Sequence, residues 1–339
     1  MKFDALILMD RLSDVPGHAR LIEELGFDGL WTHETGHNPY FPLVLASEHT
    51  RRVELGTAIA VAFPRSPTVT AHIAWDLAGQ SNGRFLLGLG TQVRAHIERR
   101  FSVDFEHPVD RLRDYILAMR AVWTSWQTGG QLNYRGKFYR LTLMTPFFAP
   151  GPIDHPDIPV YIAGVNQGLC RLAGEMCQGF HVHPFHSPKY LAEAILPWIE
   201  EGAASAGRRA SDVALVAPVF VIPEDNPQEM ETTREAVRRQ IAFYASTPTY
   251  KSVLDIHGWG WVSAELGELA IRQKWDEMAS LVSDDMLEVY AVQGRWADLP
   301  GIIRRRYGGL VSRVMYYMGF EPGTQDARWR QAAAGFHAA

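Results

Sequence analysis

The chain is short of cysteine, of positive charge and of long apolar runs, and each shortage closes off a class of protein. Only two cysteines occur in 339 residues. Cys170 and Cys177 fall on a segment that reads as helical, about 10.5 Å apart at about 1.5 Å rise per residue, beyond disulfide reach. They read as small buried apolar residues on one face, in a reducing compartment. Lys+Arg number 33 against 38 Asp+Glu, a net charge of -5. With no basic excess to neutralise phosphates, neither nucleic acid nor a membrane surface is expected as a partner. The densest basic run, Arg304, Arg305 and Arg306, lies near a helix end, where cations suit the dipole. No stretch approaches the roughly 20 apolar residues of a membrane span. The apolar part of the opening MKFDALILMD covers about five residues, too few for a secretory signal. A cytoplasmic location is expected. No strand–turn–helix carries a glycine-rich dinucleotide fingerprint, which weighs against a doubly wound open sheet.

What is present is alternation. Apolar residues make up 47% of the chain, ample for a large core. Compact apolar runs at Phe3–Met9, Gly29–Thr32, Val53–Val61, Phe85–Leu89, Val160–Ala163, Phe180–His183, Val213–Ile222 and Leu287–Val292 read as eight strands. Amphipathic stretches lie between them, such as Val15–Leu25 stopping at Gly26 and Pro67–Gln80 with proline in its first turn. Asp110–Trp126 repeats apolar residues at helical spacing, and Gln131–Leu141 alternates like a hairpin. Eight βα units with short loops predict an α/β fold of the (β/α)8 TIM-barrel type with insertions. The whole of 1–339 reads as one domain, interrupted near 127–150 and 245–285. Trp259 and Trp261 sit in an irregular stretch, as a substrate lid or as packing aromatics.

In such a barrel the active site belongs at the C-terminal strand ends. Those ends carry His33 and Glu34, Ala58 to Val61, Gly88 to Thr91, Gly164 to Asn166, and His181 to His183. Small residues admit a flat ligand close to the backbone, although glycines there also serve tight turns alone. His33, His37, His181 and His183 are candidate proton donors, histidine being the side chain with an ordinary pKa nearest neutrality, or they are structural. The five residues His33 to His37 match the HExxH zinc signature. That chemistry needs both histidines on one face of a helix. Gly36 and Pro39 oppose a helix here, and the segment is expected to be a loop.

The ordered blocks FDGLW, GTAIAV, GRFLLGLGTQ and YIAGVNQG, then GF before a histidine-containing strand end, resemble the bacterial luciferase-like superfamily across nearly the whole chain. Within it the chain looks like the branch using coenzyme F420, a deazaflavin. The resemblance implies a non-proline cis peptide at Ala58–Ile59, whose bulge, continuing to Val61, backs the cofactor ring. It implies an acidic residue at the ring after the second strand, which Glu34 matches; Glu34 and the candidate proton donor His33 are the expected catalytic residues. It implies that Gly164, Val165, Asn166, Gly168 and Leu169 hold the phosphate-bearing tail, a role that helix N-termini suit. Thr91 and His96 match positions touching the ring and the tail region, and His181 and His183 fall on the substrate side. Members that oxidise a sugar phosphate carry a histidine and a glutamate where this chain has Thr35 and Val93, so that reaction is not expected. The expected activity is hydride transfer between the deazaflavin and a small organic molecule. The alternatives are an FMN-dependent monooxygenase, a non-catalytic flavin-binding barrel, and a zinc hydrolase through His33 and His37. A homodimer is expected from the same resemblance.

Overall fold

A computed structural model describes residues 1–8 and 10–338. Met9, the expected end of the first strand, lies outside the described residues. The first strand, β1 (Lys2–Leu6), leads into α1 (Val15–Leu25), which ends where Gly26 takes φ +95° and donates its N–H to the Glu23 and Ile22 carbonyls. Glycine reaches that left-handed conformation without a Cβ penalty, so the stop is built into the residue type. β2 (Gly29–Thr32) follows, then α2 (Phe41–His49), β3 (Glu54–Thr57), β4 (Ala60–Val61), α3 (Pro67–Gln80), β5 (Phe85–Gly90), α4 (Arg94–Arg99) and α5 (Pro108–Thr128). The second half runs β6 (Val160–Gly164), α6 (Gln167–Met176), β7 (Gly179–Val182), α7 (Pro188–Tyr190), α8 (Leu196–Ser205), β8 (Ala214–Pro223) and α9 (Pro227–Ala245). After α10 (Lys251–Asp255), α11 (Gly260–Ile271), α12 (Trp275–Ala279) and α13 (Asp284–Tyr290) come β9 (Ala291–Gly294), α14 (Leu299–Tyr307), β10 (Arg313–Tyr316) and α15 (Asp326–His337). Among the described residues no helix is long and apolar enough to cross a membrane.

All barrel pairings are parallel. The ring runs β1, β2, β3, β5, β6, β7, β8, β10 and closes from β10 back to β1 with Lys2 opposite Arg313, giving a (β/α)8 barrel. Two expectations change. The stretch Val53–Val61 is not one strand: it breaks after Thr57, and Ala60 and Val61 resume as a separate pairing with Leu89 and Gly90. The eighth barrel strand is β10, not Leu287–Val292. Residues 284–290 are helical because Ser283 caps the Met286 amide and Asp284 and Asp285 occupy the first turn. The short β9 that follows pairs with the upper half of β8, Phe220 to Pro223, outside the ring.

Two cores hold the barrel. Outside, Phe3, Phe27, Trp329 and Phe336 stack between the strands and α15, with Phe3 and Phe336 centroids 4.5 Å apart. Inside, Trp31, Leu86, Tyr161, Val216 and Met315 form a separate cluster. Beneath it Arg313 donates to Asp4 from Nε at 2.7 Å and from Nη2 at 2.8 Å, and also pairs with Glu54. Trp31 Nε1–H donates to the same Asp4 carboxylate at 2.8 Å. This ion pair ties β10 to β1 and β3 at the closed end. The first irregular stretch carries a short ribbon, Tyr134–Arg135 against Arg140–Leu141, fastened by the Asp114 carboxylate, which accepts from the Phe138 and Tyr139 amides and the Tyr134 hydroxyl. Cys170 and Cys177 are both buried and unpaired. Trp261 does not sit in an irregular segment but in the first turn of α11, while Trp259 stacks on His257 at 5.2 Å.

Candidate active site

A cavity of about 720 Å³ opens at the C-terminal ends of the strands. Its shape begins with the interrupted third strand. The Ala58–Ile59 peptide, between β3 and β4, is cis, as the resemblance implies, and both residues line the cavity. Glycines across the way keep the approach clear. A Cβ on Gly90 would lie 2.6 Å from Ile59 Cδ1, and one on Gly88 would collide with the Thr57 carbonyl. The bulge is therefore packed on main chain and glycine rather than on bulky side chains.

Glu34 stands behind this bulge. Its amide donates to the Ile59 carbonyl at 3.2 Å, and its Oε2 accepts the Val61 amide at 2.7 Å. Arg65 completes the clamp, with Nη1 and Nη2 each 2.8 Å from the two carboxylate oxygens and Nη1 3.0 Å from the Val61 carbonyl. The pair is mostly buried, at 15% and 7% side-chain exposure for Arg65 and Glu34. Glu34 is not among the residues lining the cavity, and neither is Val61, whose amide it holds. Arg65 is a site residue that the sequence reading missed: it lies 31 positions from Glu34, with no local spacing to announce the pairing.

The remaining wall is assembled from distant segments. Ala58, Ile59, Thr91, Gly164, Val165, Asn166, Gly168, Leu169, His33, His181 and His183, all singled out from the sequence, line one cavity. His96 is exposed on α4 and does not join them, and His37 is exposed in the loop after β2. Asn166 is the N-cap of α6 but makes no capping bond; its side chain instead donates to the Thr249 carbonyl at 3.2 Å. The first-turn amides of α6 thus meet the cavity without a side-chain cap, an arrangement that suits an anionic group. Leu6, Pro218, Tyr250, Met315, Tyr317 and Met318 also line it, and the sequence reading did not find them. Met315, Tyr317 and Met318 were hidden with the unrecognised strand β10.

Burial keeps His181 and His183 neutral. Burial pushes His181 down to about 3, helped by the Arg313 cation. It stands edge-on to Trp31 at 4.8 Å, with Nε2 buried and lacking a hydrogen-bond partner. His183 is likewise pushed down to about 3, by burial and then by His186. Its Nδ1 accepts the Phe185 amide at 3.2 Å, so the neutral ring carries its proton on Nε2. Tyr250 packs on that ring at 4.3 Å, and Tyr244, beside it at 4.5 Å, shares a 2.5 Å hydrogen bond with Tyr317. His33 is also lowered by burial, and its Nδ1 is buried without a partner. The His33–His37 segment is a bent loop with Glu34 committed to Arg65, which is not the helical arrangement of a zinc peptidase. Among the described residues no cluster of three or more His, Cys, Asp or Glu is placed to hold a metal ion.

A family model described as luciferase-like monooxygenase matches residues 4–312. The chain is 42% identical to an uncharacterised protein of Mycobacterium bovis over 315 residues, 93% of this chain and 92% of the relative. It is 30% identical to a putative coenzyme F420-dependent oxidoreductase of Mycobacterium tuberculosis, covering 82% of this chain and 83% of that one. Among solved structures, the coenzyme F420-dependent tetrahydromethanopterin reductase from Methanopyrus kandleri superposes with a TM-score of 0.78 at 22% identity, over 98% of this chain and 97% of that one. That last likeness is one of fold.

Proposed function

Because the chain belongs to the luciferase-like monooxygenase family, we propose that it is an oxidoreductase whose cavity binds coenzyme F420 and that it passes a hydride between this deazaflavin and an organic substrate. The observation that carries the reading is the clamped bulge at Ala58–Ile59, a main-chain platform beside a glycine-lined wall in a cavity of about 720 Å³. The residues fit a flat cofactor with an anionic tail. Ala58, Ile59 and Gly90 leave room for a planar face, and the uncapped start of α6 at Gly168 and Leu169 offers amides to a phosphate. When bound, the deazaflavin supplies two-electron hydride chemistry.

The chain's own residues do the rest. Glu34 and Arg65 fix the platform from behind without touching the cavity. A substrate oxygen is oriented by His183, which presents Nε2–H as a neutral hydrogen-bond donor because Nδ1 is held by the Phe185 amide. His33, half-way round the barrel on the end of β2, and His181 are the other imidazoles of the site. Apolar walls from β8, β10 and β1 exclude water.

Titrating the purified protein with coenzyme F420 and separately with FMN, followed by gel filtration and absorbance of the protein peak, tests the cofactor. Retention of F420 is expected. Retention of FMN alone would overturn that choice and favour the FMN-dependent monooxygenase reading to which the family's description points.

A further inference from the structure

The cavity contains no formal charge. Among its described lining residues there is no Asp, Glu, Lys or Arg. Of the charged groups around it, Arg65 is committed to Glu34 behind the bulge, Arg313 to Asp4 and Glu54 below the barrel floor, and the exposed Arg100 donates to the Thr35 carbonyl, away from β8 and β10. We propose that the part of the cavity formed by β8, β10 and β1 takes an uncharged, largely apolar substrate bearing a single carbonyl or hydroxyl oxygen, with Met318 at the rim setting this selectivity. The inference rests on the preceding reading only in assigning the bulge and α6 side to the cofactor.

The chemistry of the lining decides it. Leu6, Leu8, Pro218, Met315 and Met318 surround this half, and a Cβ on Gly319 would strike Leu8, so the wall is closed by apolar contact. Thioether side chains are flexible and polarizable, and they accommodate apolar shapes rather than orient charges. A carboxylate or phosphate entering here loses its hydration shell and meets no counter-ion. The imidazoles do not supply one. Burial holds His181 and His183 near 3, so both are uncharged at neutral pH. What they supply is direction. His183 Nε2–H is a neutral donor with its other nitrogen fixed, and one substrate oxygen satisfies it. A neutral oxygen is worth placing there, and an ionised one is not.

Cyclohexanone, cyclohexanol and cyclohexanecarboxylate are matched in size and differ in charge, which makes them suitable probes. Their binding to the protein is measured by isothermal titration calorimetry at neutral pH, with and without added F420. The ketone or alcohol is expected to bind at least about ten-fold tighter than the carboxylate. Met318→Lys places a cation at the rim, where the residue is half-buried against the core and a long side chain can carry its charge out to the opening. It is expected to reverse the order, with Leu8→Lys, at a site 46% exposed, as a second variant doing the same. Circular dichroism checks that both fold. Equal affinity for ketone and carboxylate in the wild type, or an unchanged ratio in both lysine variants, overturns the proposal. Selective ketone binding in a protein that retains no F420 upholds this inference and sinks the cofactor assignment, so the two failures are distinguishable.

Discussion

At the scale of single residues, the active-site platform depends on one mostly buried ion pair. Glu34 receives three hydrogen bonds, one from the Val61 amide and two from Arg65, and gives its own amide to Ile59. Removing one partner of such a pair leaves the other charge desolvated and uncompensated, at a cost of about 3–5 kcal/mol. Arg65→Met is therefore expected to lower the unfolding free energy by about 3 kcal/mol in urea titrations. It is expected to weaken cofactor binding at least about ten-fold, because Val61 loses the bond to its carbonyl and the carboxylate holding its amide loses its counter-ion. An Arg65→Met protein that binds cofactor normally would show that the bulge holds itself. The sequence makes Glu34 visible as an acid after the second strand, but not its direction. The side chain turns away from the cavity because its partner comes from a loop 31 residues later, and no periodicity encodes that meeting.

At the scale of one element, β7 and the turn after it carry three histidines, His181, His183 and His186. Burial pushes them to about 3, about 3 and about 4 from the ordinary value of 6.5. Each is neutral in the folded chain over the range where the unfolded chain takes up a proton. The sign follows directly. Above pH 6.5 both states are neutral and the three add no slope; as pH falls below it, the unfolded chain gains protons that the fold refuses, so stability is lost. Each contributes about 1.4 kcal/mol per pH unit, so the three together drain about 4 kcal/mol per unit between about pH 6 and about pH 4. Urea titrations across that range are expected to show this loss, with His186→Phe reducing the slope by about a third. A slope that does not change in that variant would mean His186 is already protonated when folded. The histidine-bearing strand end is plain in the sequence. The burial that silences it is not, since it comes from Trp31, Tyr161, Tyr244 and Tyr250 on four other segments.

For the whole molecule, a barrel exists only if its last strand finds its first. The alternation of strand and helix is legible from Phe3 to Ile222 because each of those strands is a compact apolar run. Closure is harder to read, because β10 is four residues long and begins with an arginine, which breaks the apolar pattern that marks its neighbours. In the fold that arginine is 3% exposed and joins β10 to Asp4 on β1 and Glu54 on β3. Burial raises the Asp4 carboxyl and the Arg313 cation pulls it back, so without the guanidinium Asp4 has no reason to stay ionised. Arg313→Met is expected to destabilise the protein by about 3–5 kcal/mol, most of it the cost of a stranded Asp4. Asp4→Asn combined with Arg313→Met removes both charges and keeps the volume, so the double variant is expected to recover a large part of that loss. A double-mutant cycle from urea midpoints measures the coupling. Additive losses would mean that the strands close on hydrophobic packing alone and that Arg313 merely occupies the seam. Strong coupling would mean that the residue obscuring the eighth strand in the sequence is the one that fastens it in the fold.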